Sequence, residues 1–170
     1  LFRGALPEGR KDEETVMKMR EYFVPYYNAH IDNLTRPYDG IMEMLDAIVR
    51  EGIHLAIASN KYQEGTEALV KKYFGAYDFV CILGQREGRP IKPDPEIIHE
   101  AMESLPGTTV AEVVYCGDSD VDMQTGINAG VRTIGAAWGF RTREELSAYN
   151  PWLMVERPDE IVKAIVRGFE

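Results

Sequence analysis

Three aspartates at alternate positions, Asp118, Asp120 and Asp122, follow an apolar run in the stretch "VVYCGDSDVDMQTGINAG". Carboxylates this close must be separated, neutralised by a cation or put to work on one. Two further residue groups invite the same question. Ser59 and Asn60 end the run "IHLAIA", and Lys92 stands in the polar loop "GQREGRPIKPDP" that follows "FVCIL". A Ser hydroxyl and the N–H groups of a following helix start can hold phosphate oxygens. A Lys offers a compact positive charge to a group whose charge must be offset during transfer. Carboxylates would repel a phosphate unless a cation lay between, and Mg²⁺ accepts one or two carboxylates together with phosphate oxygen and water. Taken together the residues imply a metal-assisted phosphate site with Mg²⁺ as its cofactor. Taken singly they have plainer readings: Ser59 a helix cap, Lys92 a solvated lysine, the aspartates helix-start charges. The plain reading is kept for Asp120 alone. An EF-hand is excluded, because counting from Asp118 the sixth and twelfth places hold Met123 and Ala129 instead of Gly and Glu.

The elements that must position these residues alternate from Pro37 onward, the pattern of a three-layer, Rossmann-like α/β fold with a parallel sheet. Ile41, Met44, Leu45, Ile48 and Val49 share a helical face, stopped by Gly52. A strand over 53–58, a helix over 64–74 and a strand over 79–83 follow. Asp94 and Pro95 open a helix that carries Ile97, Ile98, Ala101, Met102 and Leu105. Next come the strand "VVYC", a helix over 121–129 stopped by Gly130, and the strand "RTIGAA". Thr142 and Glu145 form a capping box. The strand "WLMVE" and a helix with Ile161, Val162, Ile165, Val166 and Phe169 close the chain. In such a sheet ligands bind beyond the carboxyl ends of the strands, where Ser59, Lys92 and Asp118 all fall.

Residues 1–36 read differently. Val16, Met19 and Phe23 keep helical spacing, Pro25 is expected to break or restart the helix, and Ile31 and Leu34 continue the apolar stripe. Tyr22, Tyr26 and Tyr27 are expected mostly to pack. The division is therefore a helical appendage, 1–36, and an α/β core, 37–170.

Composition narrows the function. A net charge of −9 argues against a nucleic-acid partner, which calls for a basic footprint. No apolar run is long enough to span a bilayer, and nothing at the start reads as a signal peptide. Cys81 and Cys116 lie in apolar runs and are expected to be buried thiols, which suits a reducing cytoplasm. Leu1 opens the sequence mid-stream.

With these residues in place the chain resembles the haloacid dehalogenase (HAD) superfamily, and within it the phosphoglycolate phosphatase-like branch. "LAIASNK" looks like the second family motif, "IKPDP" the third and "VVYCGDSDVDMQTGINAGV" the fourth, and "GAAWGFRTREEL" also suits the branch. The ordered set is specific where each motif alone is weak. The resemblance implies that Ser59 binds the transferring phosphate with help from Asn60, and that Lys92 steadies nucleophile and phosphoryl oxygens. It implies that Asp118 ligates Mg²⁺ and that Asp122 acts beside it, through water or by orienting Lys92. Residues 1–36 would be the remnant of a helical cap domain. The activity implied is hydrolysis of a small phosphorylated metabolite, phosphoglycolate first, through an aspartyl-phosphate. A sugar phosphomutase and a non-catalytic binding module are the alternatives. The family's first motif, DxDx(T/V), has no match before Pro37, so the core is expected to lack its first strand and nucleophile. Asp118 and Asp120 also stand at DxD spacing, but Ser59 and Lys92 precede them in the order of motifs two and three.

Overall fold

A computed structural model describes residues 2–168, and the chain forms two compact units, Leu1–Arg36 and Pro37–Glu170. In the first, a short helix α1 (Phe2–Ala5) precedes the long helix α2 (Glu13–His30). Asp12 caps α2 by accepting the Thr15 N–H at 2.9 Å, one of the donors a helix start leaves without a partner. Pro25 lies inside α2 and does not end it; the ring removes one backbone hydrogen bond, and the turns on either side carry the helix through. The tyrosines also depart from expectation. Tyr22 and Tyr26 are exposed, as is Leu34. The aromatic contacts run along the helix, with Phe23 stacked on Tyr27 and Tyr26 on His30.

The second unit runs α3 (Ile41–Arg50), β1 (Leu55–Tyr62), α4 (Gln63–Phe74), β2 (Phe79–Gln85), α5 (Glu96–Glu103), β3 (Val114–Gly117), α6 (Asp120–Ala129), β4 (Arg132–Ala136), α7 (Arg143–Ser147), β5 (Leu153–Val155) and α8 (Pro158–Gly168). Every strand pair is parallel, β1 with β2 and, in a second ladder, β3 with β4 and β4 with β5. This is the expected α/β class. Gly130, at φ 69°, ends α6 in the left-handed conformation that glycine adopts without strain.

Two apolar cores cover the strands. Leu45 and Ile48 of α3, Leu55, Ile134 and Val155 of the strands, and Ile161 and Ile165 of α8 make the first. Leu83, Ile97 and Ile98 with Ala129 and Val131 make the second. Val114 packs against the first and Tyr115 against the second, as successive strand residues face opposite sides. Each core draws side chains from both ladders. The helices therefore span a break, because β1 and β3 make no ladder with each other.

Several expectations shift at element ends. β1 continues to Tyr62, since its pairing with β2 resumes at Tyr62 and Gln85 after an irregularity beyond Ala58. Ser59 and Asn60 thus lie within the strand's last turn of residues. Val49 is exposed, one position off the Leu45–Ile48 face. Leu105 follows α5, which ends at Glu103, and Phe169 lies outside the described residues.

The cysteines need a correction too. Cys81 is half-buried, but Cys116 is exposed. It stands on β3, whose second edge has no partner strand among the described residues. The protein around Cys116 nonetheless desolvates it and, with Asp122 and Asp118 nearby, pushes its thiol up to about 12. Among the described residues no helix is long and apolar enough to cross a membrane.

Candidate active site

The site is built where β1, β3 and their following segments end. Asn60 reaches from β1 to the loop after β2: its Nδ2 donates to the Lys92 carbonyl at 3.0 Å, and its Oδ1 accepts the Lys92 N–H at 2.8 Å. A primary amide has one donor end and one acceptor end, so this two-way pairing fixes the backbone of Lys92. The Asn128 amide of α6 donates to the Pro93 carbonyl at 2.8 Å, holding the other side of the loop. Ser59 Oγ accepts the Lys61 N–H at 3.1 Å.

The Lys92 side chain then crosses to α6. Its ammonium donates to the Ala58 carbonyl at 3.1 Å, to Tyr115 Oη at 3.0 Å and to Asp122 Oδ1 at 2.6 Å. Lys92 and Asp122 are 10% and 9% exposed, so their charges are sheltered from screening. Tyr115 donates to the same Oδ1 at 2.7 Å. The other oxygen of Asp122 accepts from the N–H and the hydroxyl of Ser119, while Ser119 Oγ accepts the Asp122 N–H in return. That reciprocal pair is a capping box with Asp in the acid position. Burial works against the charged form of Asp122, but the Lys92 ammonium and the three donors outweigh it and hold its carboxyl below the ordinary range. Burial, then the Asp122 charge, pushes the Tyr115 hydroxyl well up, so Tyr115 stays a donor. Gly117 makes this packing possible, since a Cβ there would overlap the Asp122 side chain.

Asp118 has different neighbours. Its Oδ2 accepts the Phe140 N–H at 3.0 Å and its carbonyl accepts the Arg141 N–H at 3.0 Å. The loop joining β4 to α7 is therefore folded over it, at Gly139 so closely that a Cβ would overlap the carboxylate. Oδ1 of Asp118 accepts no hydrogen bond among the described residues. Asp120, read from the sequence as a solvated helix-start charge, is paired: its Oδ1 accepts from Arg141 Nε at 2.9 Å. That contact lowers the Asp120 carboxyl below its ordinary value. A charge 21 residues away could not be matched to it from spacing alone.

A divalent cation would find one suitable ligand here. Asp118 keeps an oxygen clear of protein donors, whereas both oxygens of Asp122 are engaged. Among the described residues no three His, Cys, Asp or Glu side chains gather to hold a metal. One carboxylate is within the one or two that Mg²⁺ takes beside phosphate and water, so Asp118 fits.

Ser59, Asn60, Lys92, Asp118 and Asp122 thus fall on three converging segments, in the order motifs two, three and four require. The family model for haloacid dehalogenase-like hydrolases matches residues 3–136, well over half of the chain. The chain belongs to this family. Its relatives within the HAD-like hydrolases include pyrophosphatases. The pyrophosphatase PpaX of Listeria monocytogenes is 33% identical over 153 residues, 90% of this chain and 70% of the relative. PpaX of Halalkalibacterium halodurans is 31% identical over 88% of this chain and 70% of its own length. A solved structure from Lactobacillus delbrueckii subsp. bulgaricus, described provisionally as a phosphoglycolate phosphatase, superposes with a TM-score of 0.84 at 32% identity. It covers 94% of this chain, and this chain spans 66% of it.

Sequence reasoning missed three contributors. Ser119 had a visible signal, a Ser three residues before an acid at a helix start. Tyr115 was hidden in a run expected to be apolar. Arg141 had no local signal.

Proposed function

We propose that the chain carries most of the site of a Mg²⁺-dependent phosphatase that hydrolyses small phosphorylated metabolites through an aspartyl-phosphate. The observation that carries this reading is the Lys92 ammonium, held by the end of β1 and by Asp122 of α6 at the carboxyl ends of strands from both ladders. An ammonium fixed there by three acceptors sets a positive charge in place to offset that of phosphoryl oxygens and of a carboxylate nucleophile. Ser59 and the backbone at Asn60 would bind the phosphate. Asp118 would hold the metal, which when bound supplies charge neutralisation for the phosphoryl group. Asp122 would orient Lys92 rather than ligate, since its oxygens are engaged.

The nucleophile is assigned to a strand outside these 170 residues. Support comes from the edges of β1 and β3 that have no partner strand among the described residues, which both cores flank, and from the lack of DxDx(T/V) before Pro37. That strand would run parallel between them and deliver an aspartate near Lys92. Residues 1–36 would belong to a helical cap domain. Free thiols at Cys81 and Cys116 suit a reducing cytoplasm. Phosphoglycolate is the first substrate to try, and the PpaX likeness adds pyrophosphate.

The test is phosphate release from both compounds and from hexose phosphates, with and without Mg²⁺. Protein that includes the preceding sequence is expected to turn over one of them only with Mg²⁺, and residues 1–170 alone none. Robust turnover by residues 1–170 alone would overturn the assignment of the nucleophile.

A further inference from the structure

Arg141 lies outside the second, third and fourth motifs, in the stretch "GAAWGFRTREEL", and it joins three elements around Asp118. Its Nε donates to Asp120 on the first turn of α6 at 2.9 Å, its Nη1 lies 3.7 Å from Glu145 of α7, and its guanidinium sits 5.0 Å from the centre of the Phe140 ring. Its backbone N–H and that of Phe140 are the two that reach Asp118. The loop therefore touches Asp118 through backbone that any residue would supply, provided something holds the loop down. Gly139 permits the approach, and the Arg141–Asp120 pair is the side-chain tie.

We propose that Arg141, through Asp120, is a positioning residue for Asp118. The tie presses the Phe140 N–H onto Oδ2, which fixes the rotation of the carboxylate and leaves Oδ1 as the oxygen that would meet a cation. The inference rests on the metal role of Asp118 proposed above. Asp120 is then part of the site's support and not a bystander. The pair is 37% and 40% exposed, and ion pairs this open to solvent add little to stability. Its loss should consequently register in metal binding far more than in folding.

The experiment uses the protein with its preceding sequence, and Mn²⁺ as the probe, followed by electron paramagnetic resonance in the absence of substrate. Arg141→Ala and Asp120→Asn are each expected to weaken Mn²⁺ binding on the order of tenfold, as support of a metal ligand typically does. The double variant is expected to be no weaker than either single one, because both break one tie. Melting temperatures should stay within a few degrees of wild type. If Arg141→Ala lowers the melting temperature further than that, Arg141→Lys, which keeps the charge and the aliphatic stem, should recover folding but only part of the affinity. Wild-type affinity in Arg141→Ala, or additive losses in the double variant, would overturn the tie while leaving the phosphatase reading intact. Absence of Mn²⁺ binding in the wild type would sink both.

Discussion

Two ion pairs tie loops to the first turn of α6, and they differ in burial. Lys92, after β2, meets Asp122 with 10% and 9% exposure; Arg141, after β4, meets Asp120 with 37% and 40%. Distances are similar, 2.6 and 2.9 Å. What separates them is solvent. The buried pair is surrounded by Tyr115, Ser119 and the Ala58 carbonyl, so each charge depends on the other and on fixed dipoles. The open pair can exchange its partners for water. The same chemistry thus does two jobs: one pair sets where a charge stands, the other sets how a loop lies.

Breaking the buried pair from one side should cost most. Lys92→Met leaves the Asp122 carboxylate buried without its cation and is expected to lower stability by about 3–5 kcal/mol, as removal of one partner of a buried pair does. Urea unfolding checks this. Lys92→Met with Asp122→Leu should return most of that stability, and a double variant as unstable as the single would show that the pair, not the orphaned charge, holds the fold.

Tyr115→Phe comes next. It removes one of the donors to Asp122 and is expected to cost about 1 kcal/mol, the usual net worth of a hydrogen bond. A loss as large as that of Lys92→Met would mean that Tyr115, not Lys92, anchors the network.

Acid titration separates the pairs by another route. Both aspartates have carboxyls lowered from 3.8, so each contributes stability that is full above that value and lost as pH falls through the lower folded one. The Asp122 share should dominate because solvent screens the exposed pair. Unfolding free energy followed below pH 3.8 should lose much of its slope in the Lys92→Met, Asp122→Leu variant and little in Asp120→Asn. Equal slopes would erase the distinction.

The smallest effect is expected at Arg141. Arg141→Ala should change stability by no more than about 1 kcal/mol, the upper range for exposed pairs, measured by the same urea curves.

The contrast also explains what the sequence could tell. The alternation from Pro37 onward was legible because amphipathic helices and apolar strands leave period and punctuation, Gly52 and Gly130 included. The meeting of the segments at Asn60, Lys92 and Asp122 was legible because parallel strands send their carboxyl ends to one rim. Element ends were less so: β1 runs to Tyr62 through pairing with β2, a long-range fact. Asp120 was misread because its partner lies in another loop. Cys116 was misread because burial of a strand depends on having neighbours on both edges, and β3 has one among the described residues. Pro25 was overweighted, since a single missing hydrogen bond did not end an eighteen-residue helix.

Asp118 carries the central claim, for it keeps an oxygen clear of protein donors whereas both oxygens of Asp122 are engaged. The deciding measurement is Mg²⁺-dependent phosphate release by Asp118→Asn in the protein with its preceding sequence, beside its melting temperature. The account predicts a rate lowered on the order of a hundredfold or more, as loss of a metal-site ligand or its support brings, with the fold retained. Near wild-type turnover at the same Mg²⁺ concentration would contradict it.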